Sequence, residues 1–280
     1  MATYAVTGAR SGMGRAVVDR LVAAGHRVIS VDLADADVVA DLSTPDGRTS
    51  AAGEVLEKCG GVLDGAVMAA GIGPIPGREM PRRILEVNHF GVVDLLDAWR
   101  PALAAAGSSK VVVIASNSPT VTPAVPGKAV KALLAGDGER AAHALKRFGG
   151  RAPVFAYAAS KLAVSRWVRR HAVTPDWAGA GIRLNAIAPG AVLTPLLEAQ
   201  LADPRQAKLV KNFPIPVGHY GDAGEIAEWV VFMLGPAANS SCGSVVFVDG
   251  GSDAWFRADD WPRTVPLRAV RGYLRRMRTT

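Results

Sequence analysis

Tyr157 and Lys161 stand four residues apart in Tyr157-Ala158-Ala159-Ser160-Lys161, and the same chain opens with Thr7-Gly8-Ala9-Arg10-Ser11-Gly12-Met13-Gly14. Residues at that spacing share one face of a helix, so an ammonium can sit beside a phenol and favour its ionised form. A free phenol titrates near ~10, too high for a good base at neutral pH, and a neighbouring cation draws it down. The glycine segment supplies what such a pair could serve, a turn bare enough for dinucleotide phosphates to approach the backbone. Together the two segments point to redox chemistry.

Positioning these residues requires a particular scaffold. Short Val/Ile-rich runs at 3–7, 27–32, 63–69, 110–115, 182–187 and 244–248 read as buried strands. Between them helical patterns fall near 12–24, 45–59, 81–105, 156–172 and 222–234. Continuous apolar strands alternating with helices predict an α/β, single-domain Rossmann fold, a doubly wound parallel sheet with helices on both faces. Ligands of such sheets bind beyond the carboxyl ends of the strands. Gly8, Asp32, Gly71, Ser116 and the Pro189-Gly190 pair all fall there.

Composition narrows the setting. No Pro/Gly/Ser-rich linker divides the 280 residues, and 49% of them are apolar, enough for a sizeable core. The apolar runs are far shorter than a membrane span, so no integral membrane segment is expected. The first residues lack a basic start and an apolar stretch, which argues against a signal peptide. Cys59 and Cys242 are too few for a disulfide framework and lack metal-ligand spacing, so no metal site is expected and a cytoplasmic home is the simplest. The net charge of +7 would suit nucleic acid, but seven arginines from Arg257 onward face only Asp259 and Asp260. That leaves about +2 for the remaining chain, so the basicity belongs to a tail and not to a nucleic-acid-binding face.

Several motifs add up to a resemblance. Thr7-Gly8-x-x-x-Gly12-x-Gly14, Ala70-Gly71, Val87-Asn88-x-x-Gly91, Tyr157-x-x-x-Lys161, the run Arg183-Leu184-Asn185-Ala186-Ile187-Ala188-Pro189-Gly190-x-Val192-x-Thr194, and Asp249-Gly250-Gly251 resemble the short-chain dehydrogenase/reductase family. The likeness runs from residue 3 to about residue 253, with Ala69 standing where that family usually has Asn. Asp41-Leu42-Ser43-Thr44-Pro45-Asp46-Gly47-Arg48 and the 41-residue separation of Ser116 from Tyr157 are similar to the bacterial 3α-hydroxysteroid dehydrogenase/carbonyl reductase group.

The resemblance implies roles. Tyr157 would be the general acid in ketone reduction and the base in alcohol oxidation, with Lys161 lowering its pKa and holding the nicotinamide ribose. Ser116 would hold the substrate oxygen as charge develops, Ser118 being a rival two residues further on. Asn88 would widen its helix and hold a water linking Lys161 to solvent, whereas neighbouring His89 reads as a surface or helix-packing residue. Gly8, Arg10, Ser11, Gly12, Met13 and Gly14 would cradle the cofactor phosphates. Asp41 and Leu42 would flank the adenine, and Ala70, Gly71, Pro189, Gly190, Val192 and Thr194 would line the rest of the cofactor. Asp32 lies 18 residues after Gly14, the spacing of a carboxylate that binds adenosine-ribose hydroxyls. It favours NAD over NADP, although Arg10 could partner a 2′-phosphate.

The domain is expected over 1–254, with a helical insertion at 118–153 before the catalytic helix and a basic tail at 255–280. The insertion either disturbs subunit pairing or is a passive excursion. The Leu- and Pro-rich segment after Thr194 resembles a substrate loop and suits a small apolar alcohol or ketone, a steroid-like one included. A terpenoid alcohol, a 3-oxoacyl thioester, or a non-catalytic dinucleotide-sensing role are the alternatives. A homo-oligomer, dimer or tetramer, is expected. In the tail, Leu267, Val270, Leu274 and Met277 form a stripe if helical. Such a stripe should dock on its own domain or a sister subunit, a membrane surface or an acidic partner being the alternatives.

Overall fold

The computed structural model describes residues 1–262 and 264–277, so Arg263 and Arg278 of the basic tail lie outside the described residues. The chain alternates strand and helix: β1 (Thr3–Thr7), α1 (Gly12–Ala23), β2 (Arg27–Asp32), β3 (Val38–Val39), α2 (Pro45–Cys59), β4 (Gly65–Met68), α3 (Met80–Leu85), α4 (Gly91–Ala105) and β5 (Lys110–Ile114). The inserted helices α5 (Ser118–Val121), α6 (Gly127–Leu133) and α7 (Gly138–Leu145) precede α8 (Ala152–His171). Then come β6 (Arg183–Pro189), β7 (Val192–Leu193), α9 (Pro195–Ala202), α10 (Pro204–Lys211), β8 (Gly221–Asp222), α11 (Ala223–Leu234), β9 (Val245–Val248), α12 (Ser252–Arg257) and α13 (Val270–Arg276).

Seven strands form one sheet in the order β3-β2-β1-β4-β5-β6-β9, every pair parallel. The reversal of strand order beside β1 opens a crevice at the carboxyl edge, where ligands of such sheets bind. One face buries Leu95, Trp99, Val164 and Trp177 under α2, α4 and α8, and the other buries Val17, Leu21, Ile226 and Val230 of α1 and α11. Local signals set the boundaries. Thr44 caps α2 by accepting from Gly47 N at 3.0 Å, Pro45 follows it, and Gly60 closes the helix at φ 64°. Asp222 and Glu225 form a reciprocal capping box at the start of α11.

The sequence pattern predicts one helix over 81–105, and the structure interrupts it. A π turn at Glu86–Phe90 separates α3 from α4 and carries Asn88. The insertion packs through its own cluster, in which Val130, Leu133, Ala141 and Leu145 meet Ile84, Leu85 and Ala156. His89 is buried and its Nε2 lies 3.0 Å from the Leu133 carbonyl, so of the surface and helix-packing roles expected of it the structure gives packing. In the tail, Leu274 and Met277 are 50% and 63% exposed and Leu267 is 93% exposed, so the apolar stripe stays largely open on this chain. No helix among the described residues is long and apolar enough to cross a membrane.

Candidate active site

The glycine turn is built by close approach. Gly8 has φ 69°, and a Cβ there would stand 2.7 Å from Ala70 N; a Cβ on Gly14 would stand 2.1 Å from Gly8 O. Only glycine lets β1, the Ala69-Ala70 turn and α1 come together this tightly. Thr7, buried between them, accepts the amides of Ala69 and Ala70 at 3.1 Å each. The turn therefore holds without an asparagine at Ala69. Helix α1 has no acidic residue in its first turn, and Ser11 makes no capping bond, which suits that helix end to phosphate.

A cleft over this turn is lined by Gly8, Ser11, Gly12, Met13, Gly14, Asp32, Asp41, Leu42, Ala70, Gly71 and Thr194. Asp32 accepts from Arg10 N at 2.9 Å and from Leu33 N at 2.7 Å, so its carboxylate is fixed at the cleft wall. Arg10 contributes through this amide, while its exposed guanidinium lies 4.0 Å from Asp35. Asp41 accepts from Ser43 N and lies 4.0 Å from Arg83, and the serine bond followed by that cation holds its carboxyl below the usual range.

A second cleft, of about 330 Å³, shares Met13, Thr194 and Leu196 with the first. Its walls include Ser116, Ser118, Tyr157, Pro189, Gly190 and Val192, with Val121, Val154, Leu197 and Phe213 making it mainly apolar. Ser116 and Tyr157 line the same cleft, and Ser116 Oγ accepts from Ser118 N at 3.0 Å. Burial pushes the Tyr157 phenol up from its ordinary value, and the influence of the neighbouring Ser116 hydroxyl only partly offsets this. Ser118 Oγ is buried without a partner.

Lys161 and Asn88 lie behind these clefts. Lys161 Nζ donates to Ile114 O at 2.7 Å and sits 6.0 Å from the Tyr157 ring centroid. Desolvation brings its pKa down to about 8. The ammonium is directed at the end of β5. Asn88 clamps one residue at two points, accepting from Ile72 N at 2.8 Å and donating to Ile72 O at 3.0 Å. Its Nδ2 also reaches Ser160 Oγ at 3.4 Å. A methyl on Gly71 would stand 3.4 Å from Asn88 Oδ1 and 3.6 Å from Lys161 Nζ, which puts all three together. Among the described residues no three His, Cys, Asp or Glu side chains gather as a metal centre.

Two contributors carry no local sequence signal. Leu196 packs on Gly73, where a Cβ would stand 2.6 Å from Leu196 Cδ1, and so brings α9 over both clefts. Asn117 and Asp249 pair beneath the second cleft, from segments that no periodicity relates.

Residues 2–126 match a family model described as short chain dehydrogenase, and residues 142–253 match one described as enoyl-(acyl carrier protein) reductase. The interval between the two falls in α6 and α7. The chain is 38% identical to a 3-alpha-hydroxysteroid dehydrogenase/carbonyl reductase of Comamonas testosteroni, over 92% of this chain and 98% of that one. It is 30% identical to a cis-4-hydroxycyclohexanecarboxylate dehydrogenase of Sinomonas cyclohexanicum, over 89% and 95%. The crystal structure of a 3-alpha-hydroxysteroid dehydrogenase from Pseudomonas sp. B-0831 complexed with NADH superposes with a TM-score of 0.86 at 45% identity, covering 92% of this chain and 99% of that one.

Proposed function

From the premise that the chain belongs to the short-chain dehydrogenase/reductase family, shown by 38% identity with a relative over 92% of its length, we propose that it is an NAD(H)-dependent oxidoreductase. It interconverts a secondary alcohol and a ketone on an apolar, steroid-like or alicyclic molecule. The observation that carries this reading is the placement of Ser116 and Tyr157 together in an apolar cleft that shares walls with the glycine-turn cleft.

The residues divide the work. NAD(H), when bound, supplies or accepts the hydride. The glycine turn and the start of α1 hold its phosphates, Asp32 its adenosine ribose, and Leu42 the adenine side. Tyr157, a phenol and so protonated at neutral pH, donates its proton to the ketone oxygen. Ser116 holds that oxygen as negative charge grows. Lys161 holds the nicotinamide ribose, and Asn88 fixes Ile72 and the wall around Lys161. The apolar lining excludes water and offers little to a sugar or phosphate. A homo-oligomer, dimer or tetramer, and a cytoplasmic setting complete the proposal.

Steroid, terpene and acyl-ketone substrates offered with NADH and with NADPH test it. Turnover of an alicyclic or steroid ketone with NADH is expected. Tyr157→Phe should lower it at least about a hundredfold, the general acid–base scale, while NADH affinity changes little. Near-normal turnover in that variant would remove Tyr157 from the chemistry.

A further inference from the structure

Arg48 is buried on α2 with 5% of its surface exposed, an unusual place for a guanidinium. Its donors are distributed over three segments. Nε donates to Asp94 of α4 at 2.7 Å, while Nη1 donates to the Leu42 carbonyl at 3.1 Å and to Glu86 Oε2 at 3.0 Å. The guanidinium also stands 5.7 Å from the centroid of the Phe90 ring. Glu86 and Phe90 are the first and last residues of the π turn that carries Asn88.

We propose that Arg48 is a positioning residue that holds the Leu42 wall of the cofactor cleft and the Asn88 turn in one fixed geometry. This rests on the reading of the cleft as a dinucleotide site. Nη1 has two hydrogens lying in the guanidinium plane, and here one goes to each segment. A displacement of Leu42 is therefore felt at Glu86 through a single planar group. Leu42 lines the cleft directly, and a Cβ on Gly91, the residue after the turn, would stand 3.4 Å from Leu42 Cβ, so the two segments also touch. At the other end of the turn's reach, Asn88 clamps Ile72 beside Gly71 and Lys161. A lysine at position 48 would keep the charge but lose the fork, because one ammonium cannot reproduce three directions in a plane. The two carboxylates differ in what they serve. Glu86 reports to the turn, whereas Asp94, on α4 and 44% exposed in its side chain, serves the ion pair alone.

The test uses Arg48→Lys, Glu86→Ala and Asp94→Asn in the full chain, with thermal unfolding, NADH affinity by fluorescence and the pH profile of kcat. Arg48→Lys should weaken NADH binding about tenfold, the effect of losing one buried charge-assisted hydrogen bond, and should also shift the pH profile. Glu86→Ala should shift the pH profile while NADH affinity stays within about twofold. Asp94→Asn should lower the unfolding temperature and leave both kinetic readouts in place. Equal kinetic losses in Asp94→Asn, or an unchanged profile in Glu86→Ala, would make Arg48 a stability element and overturn the proposal. If Arg48→Lys does not fold, the contrast between the two carboxylate variants still decides. A parent chain that binds neither NADH nor NADPH would overturn the cofactor reading, and this proposal with it.

Discussion

Asn117 Nδ2 donates to Asp249 Oδ2 at 3.2 Å, joining two buried positions 132 residues apart. Asn117 follows Ser116 at the end of β5, and its amide donates to Pro189 O at 2.9 Å. Asp249 directly follows β9 and also accepts from Gly251 N and Asp253 N. The turn it shapes supports the segment after α10, since Ser252 Oγ donates to Pro214 O and Gly251 packs on Pro216. One pair thus ties the segment after β5 that carries Ser116 to the segment after α10.

Breaking that pair should affect substrate more than cofactor. Asn117→Ala leaves part of Asp249 unpaired, at a cost of about 1–2 kcal/mol in denaturant unfolding. The KM for the ketone should rise several-fold with the NADH dissociation constant unchanged. A loss confined to NADH binding would show that the pair serves the other cleft.

Asp32 sets the expected cofactor choice. Its carboxylate lines the cleft and would face a 2′-phosphate, while Arg10 points toward Asp35. NAD should exceed NADP in kcat/KM by about tenfold, or roughly 1.4 kcal/mol. Asp32→Ala also removes the acceptor for Arg10 N and Leu33 N, so binding of both cofactors should weaken. The ratio is the diagnostic, and it should narrow. A parent enzyme that prefers NADP would transfer the selecting role to Arg10.

Buried His89 predicts acid sensitivity. Desolvation lowers its pKa from 6.5 to about 4 in the folded chain. Above pH 6.5 both states hold it neutral. Between pH 6.5 and 4 the unfolded chain takes up a proton that the folded chain refuses, so stability falls as pH falls. Relative to His89→Gln, which keeps a donor for Leu133 O, the parent should lose up to about 3 kcal/mol across that window. Parallel stability curves for the two proteins would show that His89 does not titrate this way.

The sequence by itself determined the layers and most of the site. Buried parallel strands must be apolar along their length, so 3–7 and 27–32 could be bounded from residue type alone. A phosphate-binding turn must be glycine-rich, and a helical acid–base pair must recur at four residues, which exposed Gly8, Gly12, Gly14, Tyr157 and Lys161. Tertiary structure decided where charges and donors end up. Four-residue spacing places Lys161 beside Tyr157, but Ile114 O, supplied by a strand 47 residues earlier, takes its ammonium. The continuous pattern at 81–105 conceals the π turn, because one extra residue per turn hardly alters which side chains are apolar. The burial of Arg48 on α2 exists only because Glu86, Asp94 and Leu42 O, from three separate segments, close around it. Local composition carries secondary structure and the chemistry of short motifs, whereas desolvation and long-range pairing exist only once distant segments share a volume.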